Sequence, residues 1–559
     1  MSLTSYNRRI WIIFIFMLIA FIVFIWRLFD LQIKQYDFYS KKSLEQRNLV
    51  IKLNPRRGNI YDNNQEILAT SVKTFSIYAN PKLVEDVSRL SKNLAVKLNL
   101  DQAYLRKKLE YNGTFVWLKR RVNPNTCRNI KYKGVYFLPD NKRVYPGNTI
   151  ASQLIGFVGT DYEGLSGLEY AYDKRLKGRS GSIVLDRDPG GNNIYKYKRK
   201  VSSIYDGKDI MLTIDKNIQF LMENALKQAV NELEATHAVA ILMNIKTGEI
   251  LGMANYPVFN NNKFSDYNNQ KIFRNNAVSF IYEPGSVMKI FTIASAIEEG
   301  TIRSEDKITS PFSMNIDGTV ISEVHKPEEG ESLTKNIEDV LVKSLNVGTA
   351  KIGLKLGGEK LHKYLSKLGF GRITGLGLSG DSNGILTSYD KWYPVDVSRI
   401  SFGYGLGVTS MQLLKACTVF GNNGYLINPY IVYDKMQGKR GTRVYSKKTV
   451  NIMLNMLQKT VEEGTGVGAQ IPFFTLGGKT GTAKIYSDSQ KKYLNNRYHT
   501  TFLGLFPVSN PKYGMVVMIS DARKYKYASL TAVPVFRKIA RQVIRYLKLE
   551  PDNYYVGNR

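Results

Sequence analysis

Three short stretches of this chain carry side chains that could do chemistry together. Ser286-Val287-Met288-Lys289 sets a hydroxyl and an amine three residues apart. Ser344-Leu345-Asn346 adds a second hydroxyl and an amide, and Lys479-Thr480-Gly481-Thr482 adds a second cation and two more hydroxyls. A serine hydroxyl attacks a carbonyl only when a neighbouring base takes its proton, and an amine with a lowered pKa can be that base. The implied reaction is acyl transfer at an amide carbonyl through Ser286, with Lys289 as base. Each stretch alone is ordinary, because serine often caps helices, lysine is a common surface residue, and glycines mark hairpins. All three in this order make the ordinary reading much less economical.

The elements around them must bring them together. Tyr282-Glu283-Pro284-Gly285 reads as a turn, and apolar residues at 287, 290, 291, 294 and 297 before Gly300 predict a helix. Ser286 then stands at the helix N-terminus, where developing negative charge is favoured, and Lys289 follows one turn later on the same face. Helical patterns at 334–343 and from near Gly348 leave 344–346 as an interhelical loop, where Ser344 can relay a proton and Asn346 can hold a substrate amide. A strand over 475–485 carries Lys479, and Gly481 removes a side chain where an extended peptide must approach. Thr480 and Thr482 can bind a substrate carboxylate beside the Lys479 charge, and the backbone N–H groups of Ser286 and Thr482 can share an oxyanion. Further strands are expected in a hairpin over 237–257 and at 500–507 and 514–520, with a final amphipathic helix at 533–547. The predicted fold is α+β, an antiparallel sheet with a helical subdomain.

The 559 residues exceed one ordinary core. Residues 10–26 are apolar without interruption, and Leu28 and Phe29 extend the run to about 20 residues, roughly the 30 Å of a bilayer core. This predicts an uncleaved anchor at 10–29, with Trp11 and Trp26 near its ends, a cytoplasmic stub at 1–9 and a stalk at 30–50. A mixed α/β module over 51–215 is expected next, then a second domain over 216–559. Within the module, a helical portion is expected over 82–109 and irregular sequence up to about 148. The net charge of +32 would suit nucleic acid, but the cations are spread through periodic segments, and an exported body meets anionic membrane or wall polymer instead. Cys127 and Cys417 are expected as free core thiols, and neither they nor His237, His325, His362 and His499 have metal-site spacing, so no metal or organic cofactor is implied. His499 could border the cleft or be structural.

The three stretches, taken together, resemble the active-site signatures of the class B penicillin-binding proteins, the peptidoglycan D,D-transpeptidases. The resemblance extends to Arg57-Gly58-Asn59-Ile60-Tyr61-Asp62, Ile67-Leu68-Ala69, Gly167-Leu168-Glu169 and Leu176-Lys177-Gly178, similar to blocks of the family's membrane-proximal, dimerisation-like module, which a β-lactamase lacks. Glu66 departs from the family's usual turn, which touches no chemistry. Ser401-Phe402-Gly403-Tyr404-Gly405-Leu406 looks like the septal subtype rather than the elongation enzyme.

The resemblance implies that Ser286 is acylated, Lys289 is its base, and Ser344 belongs to the proton-transfer network. It implies that Asn346 binds the donor amide and that Lys479, Thr480, Gly481 and Thr482 form the carboxylate pocket. The expected substrate is the D-Ala-D-Ala end of a peptidoglycan stem peptide, with β-lactams as covalent inhibitors. The expected setting is the cytoplasmic (inner) membrane, crossed once with the catalytic domain outside, and the partners are a SEDS-family glycosyltransferase and other division proteins, with no nucleic acid. The alternatives are an elongation-type enzyme, a membrane-bound β-lactam sensor or hydrolase, and a division scaffold.

Overall fold

Strand alternation builds the sheet that carries the third stretch. In His237–Asn244, Val239, Ile241 and Met243 join one buried cluster, and Ala238, Ala240 and Leu242 join another on the opposite face. This period-two division is what a sheet covered on both sides requires. In the computed structural model, which describes residues 3–187, 193–326, 331–433 and 440–553, the chain forms two compact units. One comprises Met1–Arg56, Ser71–Lys142 and Gly178–Gly207, and the other Arg57–Thr70, Arg143–Lys177 and Lys208–Arg559.

In the second unit, helix α1 (Lys216–Leu233) is capped by Asp215, whose carboxylate accepts from the N–H groups of Asn217 and Ile218. Strands β1 (His237–Asn244), β2 (Glu249–Tyr256), β3 (Gly477–Ser487), β4 (Lys492–Phe506) and β5 (Tyr513–Ser520) form one antiparallel sheet in the order β2-β1-β5-β4-β3. β3 is therefore an edge strand, the place where a sheet can be extended by a ligand strand. Helix α1 and the C-terminal helix Ala532–Tyr546 cover one face, through Ile218, Met222, Val533 and Phe536. The other face packs on helices that include α2 (Lys289–Glu298), α3 (Ile337–Val342) and α4 (Asn346–Leu356).

One expected helix begins late. Residues 334–336 form a short strand paired with Lys307–Thr309, and α3 starts only after Asn336, whose side chain accepts from the Asp339 N–H at 2.7 Å. A capping asparagine competes with helix continuation, so the run breaks there.

The same unit holds a buried ionic cluster that joins two of the family-like blocks. Arg57 donates through Nε to Glu169 at 2.5 Å and through Nη1 to Asp173 at 2.6 Å, and Arg143 reaches the other Glu169 oxygen at 2.6 Å. Arg57 and Glu169 are both wholly buried.

In the first unit, the N-terminal helix Leu3–Phe29 exposes its apolar side chains and is long and apolar enough to cross a membrane. The stalk is a π-helical turn at Asp30–Lys34 followed by a helix at Tyr36–Arg47. Asn48–Leu53 pairs with Gly181–Arg187, which pairs with Asn193–Ser202. Residues 75–79 pair with Val116–Val122, and Val135–Val144 joins the same strand. These two strands replace the irregular sequence expected there. Lys119, Arg120 and Arg121 interrupt the apolar alternation of Val116–Val122, yet Leu118 and Val122 still reach the core with Ile77, Leu94 and Leu105.

Candidate active site

The turn before α2 is a 3₁₀ segment, Gly285–Met288, so Ser286 sits in a tight turn that runs straight into the helix of Lys289. The turn is half-open at Ser286 and buried at Val287, Met288 and Lys289. Gly285 has φ +56° and donates its N–H to the carbonyl of Gly403 at 3.1 Å, so the Phe402-Gly403-Tyr404 loop backs the Ser286 turn. β3 lies against the same turn, because a Cβ on Gly481 would stand 2.5 Å from the carbonyl oxygen of Pro284 and 2.9 Å from Val287 Cγ2. Thus the crowding at Gly481 comes from the Pro284–Val287 turn itself. A Cβ on Gly285 would stand 3.3 Å from the Thr482 nitrogen, which sets the Ser286 turn beside the backbone of Thr482.

The three stretches meet at Ser344 Oγ. Lys479 Nζ donates to it at 2.8 Å, and Lys289 Nζ lies 3.4 Å from it. Lys289 also donates to the Ser344 carbonyl at 2.5 Å and to Asn346 Oδ1 at 2.8 Å. A neutral amine has two hydrogens, and these two oxygens account for both. The remaining valence of Lys289 Nζ is then a lone pair that can take a proton from a hydroxyl. Ser344 reaches this position through a left-handed backbone, φ +62°, between α3 and α4. Such a conformation in a non-glycine residue costs of order 1–3 kcal/mol and persists where its surroundings fix it.

Burial sets the electrostatics. Lys289 and Lys479 are both fully buried. Burial pushes the Lys289 amine down to about 7, and Glu323 pulls weakly the other way. Burial and the nearby Lys289 charge push Lys479 well below the ordinary lysine value. The partners of Lys479 are oxygens without formal charge: Ser344 Oγ, Thr465 Oγ1 at 3.5 Å, and the carbonyl and hydroxyl of Thr480 at 3.4 and 3.5 Å.

Thr480 donates to Thr465 Oγ1 at 2.7 Å, and Thr482 Oγ1 accepts from the Ala528 N–H at 3.2 Å. Thr465 lies outside the three stretches and carries no sequence signal of its own. Glu323, on the loop after the hairpin of Ser313–Ile316 and Thr319–Ser322, accepts from the N–H groups of Asn346 and Val347. It was also invisible in sequence. His499 sits opposite Ala483 on β4, but its ring is turned into the core against Phe280 and Tyr282, with Nδ1 3.1 Å from Ser520 Oγ. Burial pushes it down to about 4. Among the described residues no cluster of His, Cys, Asp and Glu is placed to hold a metal ion.

Comparison with known proteins agrees with this geometry. Residues 238–541 match the penicillin-binding protein transpeptidase domain, and residues 52–212 match the penicillin-binding protein dimerisation domain. The chain is 33% identical over 579 aligned residues to the peptidoglycan D,D-transpeptidase FtsI of Buchnera aphidicola, covering 98% of this chain and 97% of that protein. It is 31% identical to FtsI of Escherichia coli K12, covering 95% and 89%. A peptidoglycan synthetase structure from Bifidobacterium adolescentis superposes with a TM-score of 0.73 at 25% identity, covering 91% of this chain and 99% of that one. On the strength of the transpeptidase-domain match and of relatives similar along almost the whole length, this chain belongs to the class B penicillin-binding proteins.

Proposed function

We propose that the protein is a peptidoglycan D,D-transpeptidase of the septal type, working through a Ser286 acyl-enzyme. The observation that carries the residue assignment is the meeting of Lys289 and Lys479 at the Ser344 hydroxyl, with Lys289 three residues after Ser286 where the 3₁₀ turn runs into the helix. Lys289, with two carbonyl oxygens taking its hydrogens, accepts the Ser286 proton as Oγ attacks the carbonyl between the two terminal D-alanines of a stem peptide. The Oγ–C bond forms, and the oxyanion is held by the N–H groups of Ser286 and Thr482. The C–N bond then breaks, and a proton passes by way of Ser344 to the amine of the departing D-alanine. An amine of a second stem peptide attacks the ester, restores the Ser286 hydroxyl and completes the cross-link.

Asn346 donates one Nδ2 hydrogen to the Ser322 carbonyl at 2.9 Å and accepts from Lys289 on Oδ1, so this residue is braced, and contact with the donor amide uses its second Nδ2 hydrogen or the remaining lone pair of Oδ1. Lys479 faces only uncharged oxygens. The C-terminal carboxylate of the donor brings an anion to Lys479, favours its ammonium form, and is gripped with Thr480 and Thr482.

The N-terminal helix is read as a single-pass anchor, with residues 1–9 cytoplasmic and the catalytic domain, residues 216–559, outside the inner membrane. In that setting the residue 51–215 module is the natural contact for a SEDS-family glycosyltransferase and other division proteins. A pentapeptide donor with and without an added diamino-acid acceptor tests the reaction. Cross-linked product should rise with acceptor while free hydrolysis falls. Hydrolysis indifferent to acceptor would point instead to a hydrolase.

A further inference from the structure

The Ser344-Leu345-Asn346 corner is not self-supporting. Leu345, the residue before α4, makes no capping bond with its side chain, so the first N–H groups of that helix need acceptors from elsewhere. They find them on Glu323. Its Oε2 accepts from Asn346 N at 2.5 Å, and its Oε1 accepts from Val347 N at 2.9 Å and from Ser310 Oγ at 2.8 Å. The backbone of Glu323 is itself tied down, donating to the Phe312 carbonyl at 2.8 Å. One residue earlier, the Ser322 carbonyl accepts from Asn346 Nδ2 at 2.9 Å. Two consecutive residues therefore hold Asn346 by its main chain and by its side chain. Because Nδ2 must face a carbonyl, Oδ1 must face the opposite way, where it meets Lys289 Nζ at 2.8 Å.

We propose that Glu323 is a positioning residue for acylation: its carboxylate caps the helix that starts at Asn346 and thereby fixes the amide that aims the Lys289 amine. The inference rests on the reading of Lys289 as the base of Ser286. A carboxylate suits the place because a helix N-terminus favours an anion and offers two N–H groups pointing the same way. Its second effect is electrostatic. The charged groups facing Lys289 are Glu323 from the hairpin loop and Lys479 from β3; α2 contributes none beside it. On the neighbouring helices Lys343 is exposed and paired with Glu331, and Lys351 donates to the Thr309 carbonyl. Burial lowers the Lys289 pKa to about 7, and the Glu323 carboxylate opposes the fall. Removing its charge lets the amine lose its proton at still lower pH.

The test is the rate of covalent labelling by a fluorescent penicillin, from pH 5.5 to 9.5, on the full-length detergent-solubilised protein and its Glu323→Gln and Glu323→Asp variants. Glu323→Gln keeps the volume but turns an N–H donor towards the helix N–H groups. It should slow labelling at the plateau by on the order of tenfold to a hundredfold, the loss expected of a small misalignment at a catalytic base. Its acidic limb should also move to lower pH. Glu323→Asp keeps the charge at a shorter reach and should fall between wild type and Gln in both rate and limb. A Gln variant that matches wild type in both, or that is slower with an unmoved limb, overturns the proposal; the second outcome would mark a merely structural cap. If the Gln variant does not fold, as judged by thermal melting, the Asp variant decides. A slower rate with a lowered limb supports the proposal, and an unmoved limb overturns it. A wild type that takes no adduct overturns the Ser286 reading and this inference with it, whereas a labelled wild type beside an unchanged Gln variant overturns this inference alone.

Discussion

The catalytic unit buries two pairs of cations and treats them in opposite ways. Arg57 and Arg143 share Glu169, with Asp173 beside them, so each guanidinium lies against a carboxylate. Burial opposes the Arg57 charge, but Glu169 and Asp173 outweigh it and its pKa is raised. Lys289 and Lys479 are also buried, share the Ser344 hydroxyl, and among the described residues have no carboxylate in hydrogen-bond contact. Their amines are pushed down. The choice of residue follows, since a guanidinium stays charged at any ordinary pH while a buried amine can lose its proton. The first cluster joins distant segments of chain as a fixed brace. The second is held in an electrostatically uncomfortable state, which is the state a general base needs.

Substitutions can break this contrast at either end. The largest effect is expected at Lys289. Lys289→Met should slow penicillin acylation by about 10²–10⁴-fold, the range for losing a general base, as read by stopped-flow or gel labelling. The same change should raise the melting temperature at neutral pH. The folded pKa of about 7 lies below the ordinary 10.5, so the unfolded chain binds more protons between those values, and wild-type stability gains as pH climbs through that window. The advantage of Lys289→Met should therefore shrink from pH 7 towards 10.5. At the other cluster, Glu169→Gln leaves two arginines facing a neutral amide. It should cost about 3–5 kcal/mol of stability, measured by denaturant or thermal unfolding, while any folded fraction still labels with penicillin.

Two smaller effects sharpen the account. Wild-type acylation should climb about tenfold per pH unit below the Lys289 pKa and level off above about 7. A flat profile from pH 5 to 9 would remove the neutral amine from the mechanism. Thr465→Val takes away the acceptor that holds the Thr480 hydroxyl at 2.7 Å, a bond worth about 0.5–1.5 kcal/mol. The acylation rate should fall only severalfold, and no change would mean that Thr480 needs no such support.

The sequence made the turn and helix that place Ser286 and Lys289 legible because their logic is local. Ser286 and Lys289 are three residues apart, and the turn, the apolar period and the stop at Gly300 all lie within one short segment. The hairpin over 237–257 was legible for the same reason, with β1 and β2 pairing across Lys246-Thr247-Gly248. The convergence of Ser344 with Lys479 is not local, since 135 positions separate them, and only the pattern of three stretches suggested it. What stayed hidden depends on tertiary partners. The left-handed backbone of Ser344 is imposed from outside, and serine gives no sign of it. Thr465 and Glu323 gain their roles only because a loop and a hairpin deliver them to β3 and α4. The strand Val116–Val122 was obscured by its own Lys119-Arg120-Arg121, whose long side chains can keep their charges outward while the stems lie along the sheet.

The central claim is that Ser286 is the acylated atom's owner and that the two lysines make it so. The most direct measurement is intact mass of wild type and Ser286→Ala after incubation with a fluorescent penicillin, followed by peptide mapping of any adduct. The expected result is one added penicilloyl group on the wild type, mapped to the peptide containing Ser286, and none on the variant. An adduct that survives Ser286→Ala, or that maps to another residue, would contradict it.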